Sequence, residues 1–216
     1  MYVPGHFAMD DAVLQDLLLD HGAGDLVTAT DRGLVSTLLP FIYDPASGAH
    51  GSLLGHFART NDHWRLPPLG EAMVILRGPD AYITPGWYAS KAEHGRVVPT
   101  WNYVTAHVYG ELVVHDDVDW VGGLVRRLTE KHEAGQVRPW AVDDAPPAFL
   151  AGQLRAIVGV ELRISRIEAK AKLSQNRPAA DIDGVVEGTR VRGDVEMSRA
   201  VDQARPLGRQ QPPPAG

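Results

Sequence analysis

Between Ala81 and Gly110 the chain reads AYITPGWYASKAEHGRVVPTWNYVTAHVYG, which holds Tyr82, Trp87, Tyr88, Trp101, Tyr103 and Tyr109. In a chain that is only 7% aromatic, this crowding suggests a surface on which a flat ring could stack. The same side chains could instead fill a small β-barrel, in which alternate positions of each strand point inward. Clustering by itself favours the core.

Two further groups carry charge and hydrogen-bonding capacity. In GHFARTNDHW (Gly55 to Trp64) a period of 2 turns His56 and Ala58 one way and Phe57 and Arg59 the other, with Asn61, His63 and Trp64 following. An arginine and an asparagine at a strand end could hold an anion; a solvated surface charge is the plain alternative. His56 and His63 have no third ligand at a recognisable spacing and no HExxH pattern, so no metal site is expected. The second group, Lys170 to Arg177, places two lysines, a serine, two amides and an arginine in eight residues. It could clamp phosphate, or be an ordinary charged loop.

The elements that must position these groups follow from periodicity and turn chemistry. Asp10 or Asp11 can cap a first helix carrying Leu14, Leu17 and Leu18, ended by Gly22 and Gly24. Leu26 to Thr30 and Leu34 to Tyr43 read as strands around an Asp31-Arg32-Gly33 hairpin turn, and His50 to Arg59 as a third strand. Ala72 to Leu76 reads as a buried strand that Arg77-Gly78-Pro79-Asp80 turns back into Ala81. Ser90 to Arg96 is expected to be an exposed excursion. Pro99 biases Val98 toward extended backbone and delivers Thr100 onward as a long strand. There Trp101, Tyr103, Thr105, His107 and Tyr109 share one face, and Asn102, Val104, Ala106, Val108 and Gly110 the other. Asp116 or Asp117 opens a helix, Asp143 to Pro147 another, and Ile157 begins a strand that runs on through Ile167 to the polar terminus Lys170 to Arg177.

A chain of 216 residues can bury a substantial core. The absence of cysteine removes disulfide scaffolds, thiol nucleophiles and thiolate metal sites. No apolar run approaches the roughly 20 residues that span a bilayer, and a cytoplasmic protein without membrane partners is expected. The formal net charge of -6 argues against a broadly basic nucleic-acid surface. Short antiparallel connections and inserted helices point to a mainly β fold, a six-stranded antiparallel Greek-key barrel with added helices. No glycine-rich loop follows a strand to open a helix, which excludes Rossmann and P-loop readings. A single domain over residues 1–190 is expected. Residues 191–216 carry little apolar periodicity and are expected to be disordered or loosely packed.

YxPxxF at Tyr2 to Phe7, GHFARTNDHW, AYITPGWY at Ala81 to Tyr88, VPTWNYVTAHVYG at Val98 to Gly110 and KLSQN at Lys172 to Asn176 together resemble the PaiB family. That family is described as FMN-binding negative transcriptional regulators built on the FMN-binding split barrel. The resemblance implies a homodimer with FMN at the subunit interface. It points to Arg59, Lys172, Ser174 and Thr100 around the phosphate, where charged and hydroxyl groups suit a dianion. Trp101, Asn102, Tyr103, Gln175 and Asn176 would serve the isoalloxazine, Trp87 and Tyr88 would cover it, and His56 and Asn61 complete the implied site. DNA binding rests on the resemblance alone, since no helix-turn-helix with a basic recognition helix is legible. No catalytic residue is assigned. A flavin-dependent oxidoreductase using a reduced nicotinamide and a small substrate stays open beside the regulator.

Overall fold

Alternating side chains make each strand here a two-faced ribbon, and six such ribbons close on themselves. A computed structural model describes residues 1–205. Strands β1 (Ala23–Thr30), β2 (Gly33–Asp44), β3 (Ser52–Ala58), β4 (Ala72–Ile83), β5 (Thr100–His115) and β6 (Ile157–Lys172) form a closed barrel in the order β1-β2-β3-β6-β5-β4. β1 pairs antiparallel with β2 and β4, and β3 pairs antiparallel with β2 and β6. The β1–β2 hairpin turns on Asp31-Arg32, with Thr30 opposite Gly33. Thr30 Oγ1 accepts the Arg32 N–H and donates to the Gly33 carbonyl, which satisfies the turn locally.

The described chain divides into two compact units. The first comprises Met1, Asp10–Arg77 and Ala106–Glu168; the second comprises Tyr2–Met9, Gly78–Thr105 and Ala169 onward. Strands β4, β5 and β6 each run from one unit into the other.

In the first unit Leu26, Phe41, Leu53, Phe57, Val74, Val108, Val158 and Leu162 are fully buried. Helix α1 (Asp11–Asp20) precedes the first strand. Helix α3 (Val118–Glu133) is capped by Asp117, whose Oδ1 accepts the Asp119 and Trp120 N–H groups. Its Leu124, Leu128 and Trp120 pack on Ile42 and Leu54, and α4 (Pro147–Arg155) follows it. Glu161 is buried on β6 because its charge is fully engaged: Oε1 accepts the Ser47 and Ser52 hydroxyls, and Oε2 lies 3.0 Å from His115 Nε2.

In the second unit α2 (Ala89–His94), α5 (Ala179–Arg192) and α6 (Val195–Gln203) gather around Ala81, Ile83, Tyr88, Leu173, Ile182, Val185, Met197 and Val201. Three expectations change. Arg77-Gly78-Pro79-Asp80 is not a turn but the middle of β4, since extended backbone accommodates proline where no ladder N–H is required. Ser90 to Arg96 is not wholly exposed, because Ser90 is buried at the start of α2 and its N–H donates to Asp181 Oδ1. Residues 191–205 are not a loose tail: α6 buries Met197 and Val201, two apolar positions four apart on one helix face. The remainder of that expectation, 206–216, lies outside the described residues. Among the described residues no helix is long and apolar enough to cross a membrane.

Candidate functional site

The aromatic side chains of β5 do not fill the barrel. Asn102, Ala106, Val108 and Gly110 are buried, whereas Trp101, Tyr103, His107 and Tyr109 are exposed or half-buried. The strand alternates as its sequence requires, with the small residues inside and the rings outside.

Within the second unit, the end of β6 brings three cations together. Lys172 Nζ donates to the Thr100 hydroxyl and, at 2.8 Å, to the Trp101 carbonyl. Desolvation pushes Lys172 below the ordinary lysine range; Tyr103 opposes this, and the Lys170 and Arg177 charges reinforce it. Lys170 is 9% exposed, donates to the Tyr2 carbonyl at 3.3 Å, and lies 5.4 Å from the Tyr103 ring centre. The Arg177 guanidinium stands 4.7 Å over the Tyr88 ring. Among the described residues none of these three cations has a carboxylate within ion-pair distance. Beside them Trp101 is 49% exposed and Tyr82 is 43% exposed, their ring centres 6.2 Å apart.

The amides expected at the site are turned to internal use. Asn102 is completely buried, and its Nδ2 donates to Ser174 Oγ at 2.9 Å. Ser174 occupies a left-handed backbone position at φ 66°, so this bond braces the turn that leaves β6. Gln175 braces it again, accepting from Leu173 N–H and donating to the Ala171 carbonyl. Asn176 is exposed. Trp87 packs beneath α5 with the Arg192 guanidinium 4.9 Å over its ring. Tyr88 is buried; burial pushes its pKa up, and Arg177 beside it acts in the opposite sense.

The residues from GHFARTNDHW belong to the first unit. Arg59 makes a bidentate pair with Asp116, and also donates to the Arg155 and Ile157 carbonyls. Four of its hydrogen-bonding directions are thereby taken up. Asn61 caps the turn below it, accepting from His63 N–H, and His63 lies between the Thr28 and Thr37 hydroxyls at 2.8 Å each. His56 faces outward from β3 toward α3 and α4.

A phosphorylated aromatic cofactor requires a cation group without internal counter-ions and an accessible ring surface. Lys172, Lys170, Arg177, Thr100, Trp101 and Tyr82 meet both requirements, so the second unit fits such a group. Of these, Lys170 and Arg177 belong to the cluster that the sequence offered as a phosphate clamp and Tyr82 to its aromatic stretch, although the family resemblance did not point to them. Their signal was in the sequence: Lys170 and Lys172 are two apart on one strand, and so share a face.

Residues 1–166 match the family described as "Putative FMN-binding domain". The chain is 32% identical over 189 residues to protease synthase and sporulation protein PAI 2 of Bacillus subtilis, covering 87% of this chain and 88% of that protein. It is 30% identical over 219 residues to an uncharacterised protein of Emericella nidulans, covering 85% and 87%. In fold it is similar to the flavocytochrome Anf3 from Azotobacter vinelandii, with a TM-score of 0.57 at 11% identity over 75% of this chain and 67% of that one. It is also similar to the FAD and heme binding protein from Mycobacterium smegmatis, with a TM-score of 0.52 at 17% identity over 76% and 71%. The sequence matches place the chain in the PaiB-like FMN-binding family, with FMN as its cofactor.

Proposed function

We propose that the protein is an FMN-binding regulator of the PaiB type, working as a homodimer that holds flavin at the subunit interface. The observation that carries this reading is the Lys170, Lys172 and Arg177 group, which has aromatic faces and a hydroxyl for neighbours and, among the described residues, no carboxylate within ion-pair distance. Lys172 and Arg177, with the Thr100 hydroxyl, bind the phosphate through charge-assisted hydrogen bonds, and Lys170 raises the local positive potential. Trp101, Tyr82 and Tyr103 provide the surface for the ring system. Bound FMN supplies reversible uptake and release of electrons. Half-exposed Trp101 and Tyr82 leave such a ring partly in water on one subunit, which is why a second copy is part of the reading.

The relative's name, protease synthase and sporulation protein PAI 2, ties that protein to sporulation, which is compatible with a regulatory role here. The basic residues of α3 do not support direct DNA reading, because Arg126 is paired with Asp143 and Arg127 with Asp44. Repression is therefore exerted through the dimer or a protein partner. A flavin-dependent oxidoreductase is the second reading, favoured by the same exposed rings, which leave room for a second small molecule. Visible absorption during FMN titration, followed by anaerobic NADPH, separates the two. Tight FMN without rapid bleaching supports the regulator, rapid bleaching supports the oxidoreductase, and no flavin uptake removes both.

A further inference from the structure

In the first unit, β3, α3, α4 and the start of β6 line an open cavity of about 290 Å3. Leu150 and Leu154 of α4 and Ile157 of β6 contribute to its apolar wall, and His56, Thr129 and Gln153 are its polar members. Of these three polar side chains His56 and Thr129 are half-buried and Gln153 is exposed, and none has a hydrogen-bond partner among the described residues. His56 Nδ1 is buried without a partner, which leaves Nε2 as the ring nitrogen that can reach a ligand. Burial pushes the His56 pKa down, so the ring is neutral near pH 7 and its single proton belongs on the nitrogen with access to an acceptor. Thr129 could have turned its hydroxyl back onto the preceding helical turn, as helical threonines often do, but it does not.

We propose that this cavity binds a small neutral molecule with a branched or single-ring apolar body and one carbonyl-type hydrogen-bond acceptor. Its volume is at the small end for ligand pockets and suits a single ring. The apolar wall accounts for the body of the ligand, and the His56 Nε2–H, the Thr129 hydroxyl and the Gln153 amide account for its acceptor. A neutral histidine offers an anion no countercharge, so a carboxylate is a poorer ligand than an amide. The site does not depend on the flavin assignment, whose residues belong to the second unit.

The test uses the full chain with benzamide, toluene and benzoate as probes in calorimetric titrations. Benzamide is expected to bind saturably, to bind about tenfold more weakly to His56→Phe, and to lose binding to Leu150→Trp, which fills the cavity. In the parent protein benzamide should also shift the His56 ring nitrogen resonances, a readout that needs no variant to fold. FMN affinity should be unchanged in Leu150→Trp, so a failed flavin assignment and a failed cavity assignment are told apart. Absence of benzamide binding, or equal binding to parent and both variants, overturns the site. Toluene binding as tightly as benzamide overturns the acceptor, and benzoate binding more tightly overturns the requirement for a neutral ligand.

Discussion

Gly188 of α5 lies directly against the Trp87 indole, so that a Cβ at that position would stand 2.2 Å from the ring. One turn earlier, a Cβ at Gly184 would stand 1.8 Å from the Trp87 carbonyl oxygen. Two glycines four apart give α5 a bare stripe, and Trp87 fills it. This relationship explains why Trp87 is half-buried. It also shows how the helix that follows KLSQNR is fastened.

Gly184→Ala is expected to destabilise the protein by about 1–3 kcal/mol through overpacking, despite alanine's better helix propensity. The Trp87 backbone has less freedom to move than a side-chain tip, so Gly184→Ala should be at least as damaging as Gly188→Ala. Urea unfolding of both variants checks this. Stabilisation by either would mean that α5 does not rest on Trp87.

Lys172→Ala is expected to weaken FMN binding by about 1.5–3 kcal/mol, roughly 10–150-fold, through loss of a charge-assisted bond. Arg59→Ala should leave FMN affinity near the parent value, because the Arg59 guanidinium is already held by Asp116 and two carbonyls. Fluorescence titration of the two variants decides the matter. The reverse ranking would return the phosphate to Arg59.

Stability is expected to fall as pH drops from about 6.5 toward 4, before most carboxylates titrate. Burial, reinforced by the Lys131 charge, lowers the His21 pKa to about 4 against 6.5 when unfolded. Its Nδ1–H donates to the Leu18 carbonyl and its Nε2 has no partner. A depressed histidine is neutral in the native state, so the unfolded chain takes up the extra proton. The contribution is complete above 6.5, is lost progressively down to about 4, and amounts to roughly 3 kcal/mol. His56 and His63 are lowered by burial in the same sense. Urea midpoints at pH 7 and 5 for the parent and His21→Asn should therefore show a reduced, not abolished, pH slope in the variant. Identical slopes would remove His21 as the source.

Ser174→Ala should cost about 1–3 kcal/mol, because it leaves the buried Asn102 amide unpaired while keeping a side chain at φ 66°. Ser174→Gly loses the same bond but relieves the backbone, and should be the milder change by a fraction of a kcal/mol to about 1 kcal/mol. Thermal melts compare the pair. Equal losses would show that the positive φ carries no strain.

Much of this protein is legible in its residues alone. The Asp31-Arg32-Gly33 turn, the Asp117 cap, the two faces of β5 and the antiparallel barrel all depend on short-range chemistry, which a period of 2 or 3.6 exposes. So does the pairing of Lys170 with Lys172 on one face. Periodicity states which residues share a face but not which face turns inward, and only the closed barrel put Asn102 and Val108 inside and Trp101 and Tyr103 outside. Nor could it place partners far apart in the chain. Arg59 finds Asp116 across 57 positions and Lys172 finds Thr100 across 72. The burial of Met197 and Val201 likewise depends on a surface that α5 and the ends of the long strands build only after folding. Local sequence determined the elements and their faces; the tertiary structure decided which charges found a carboxylate partner and which did not.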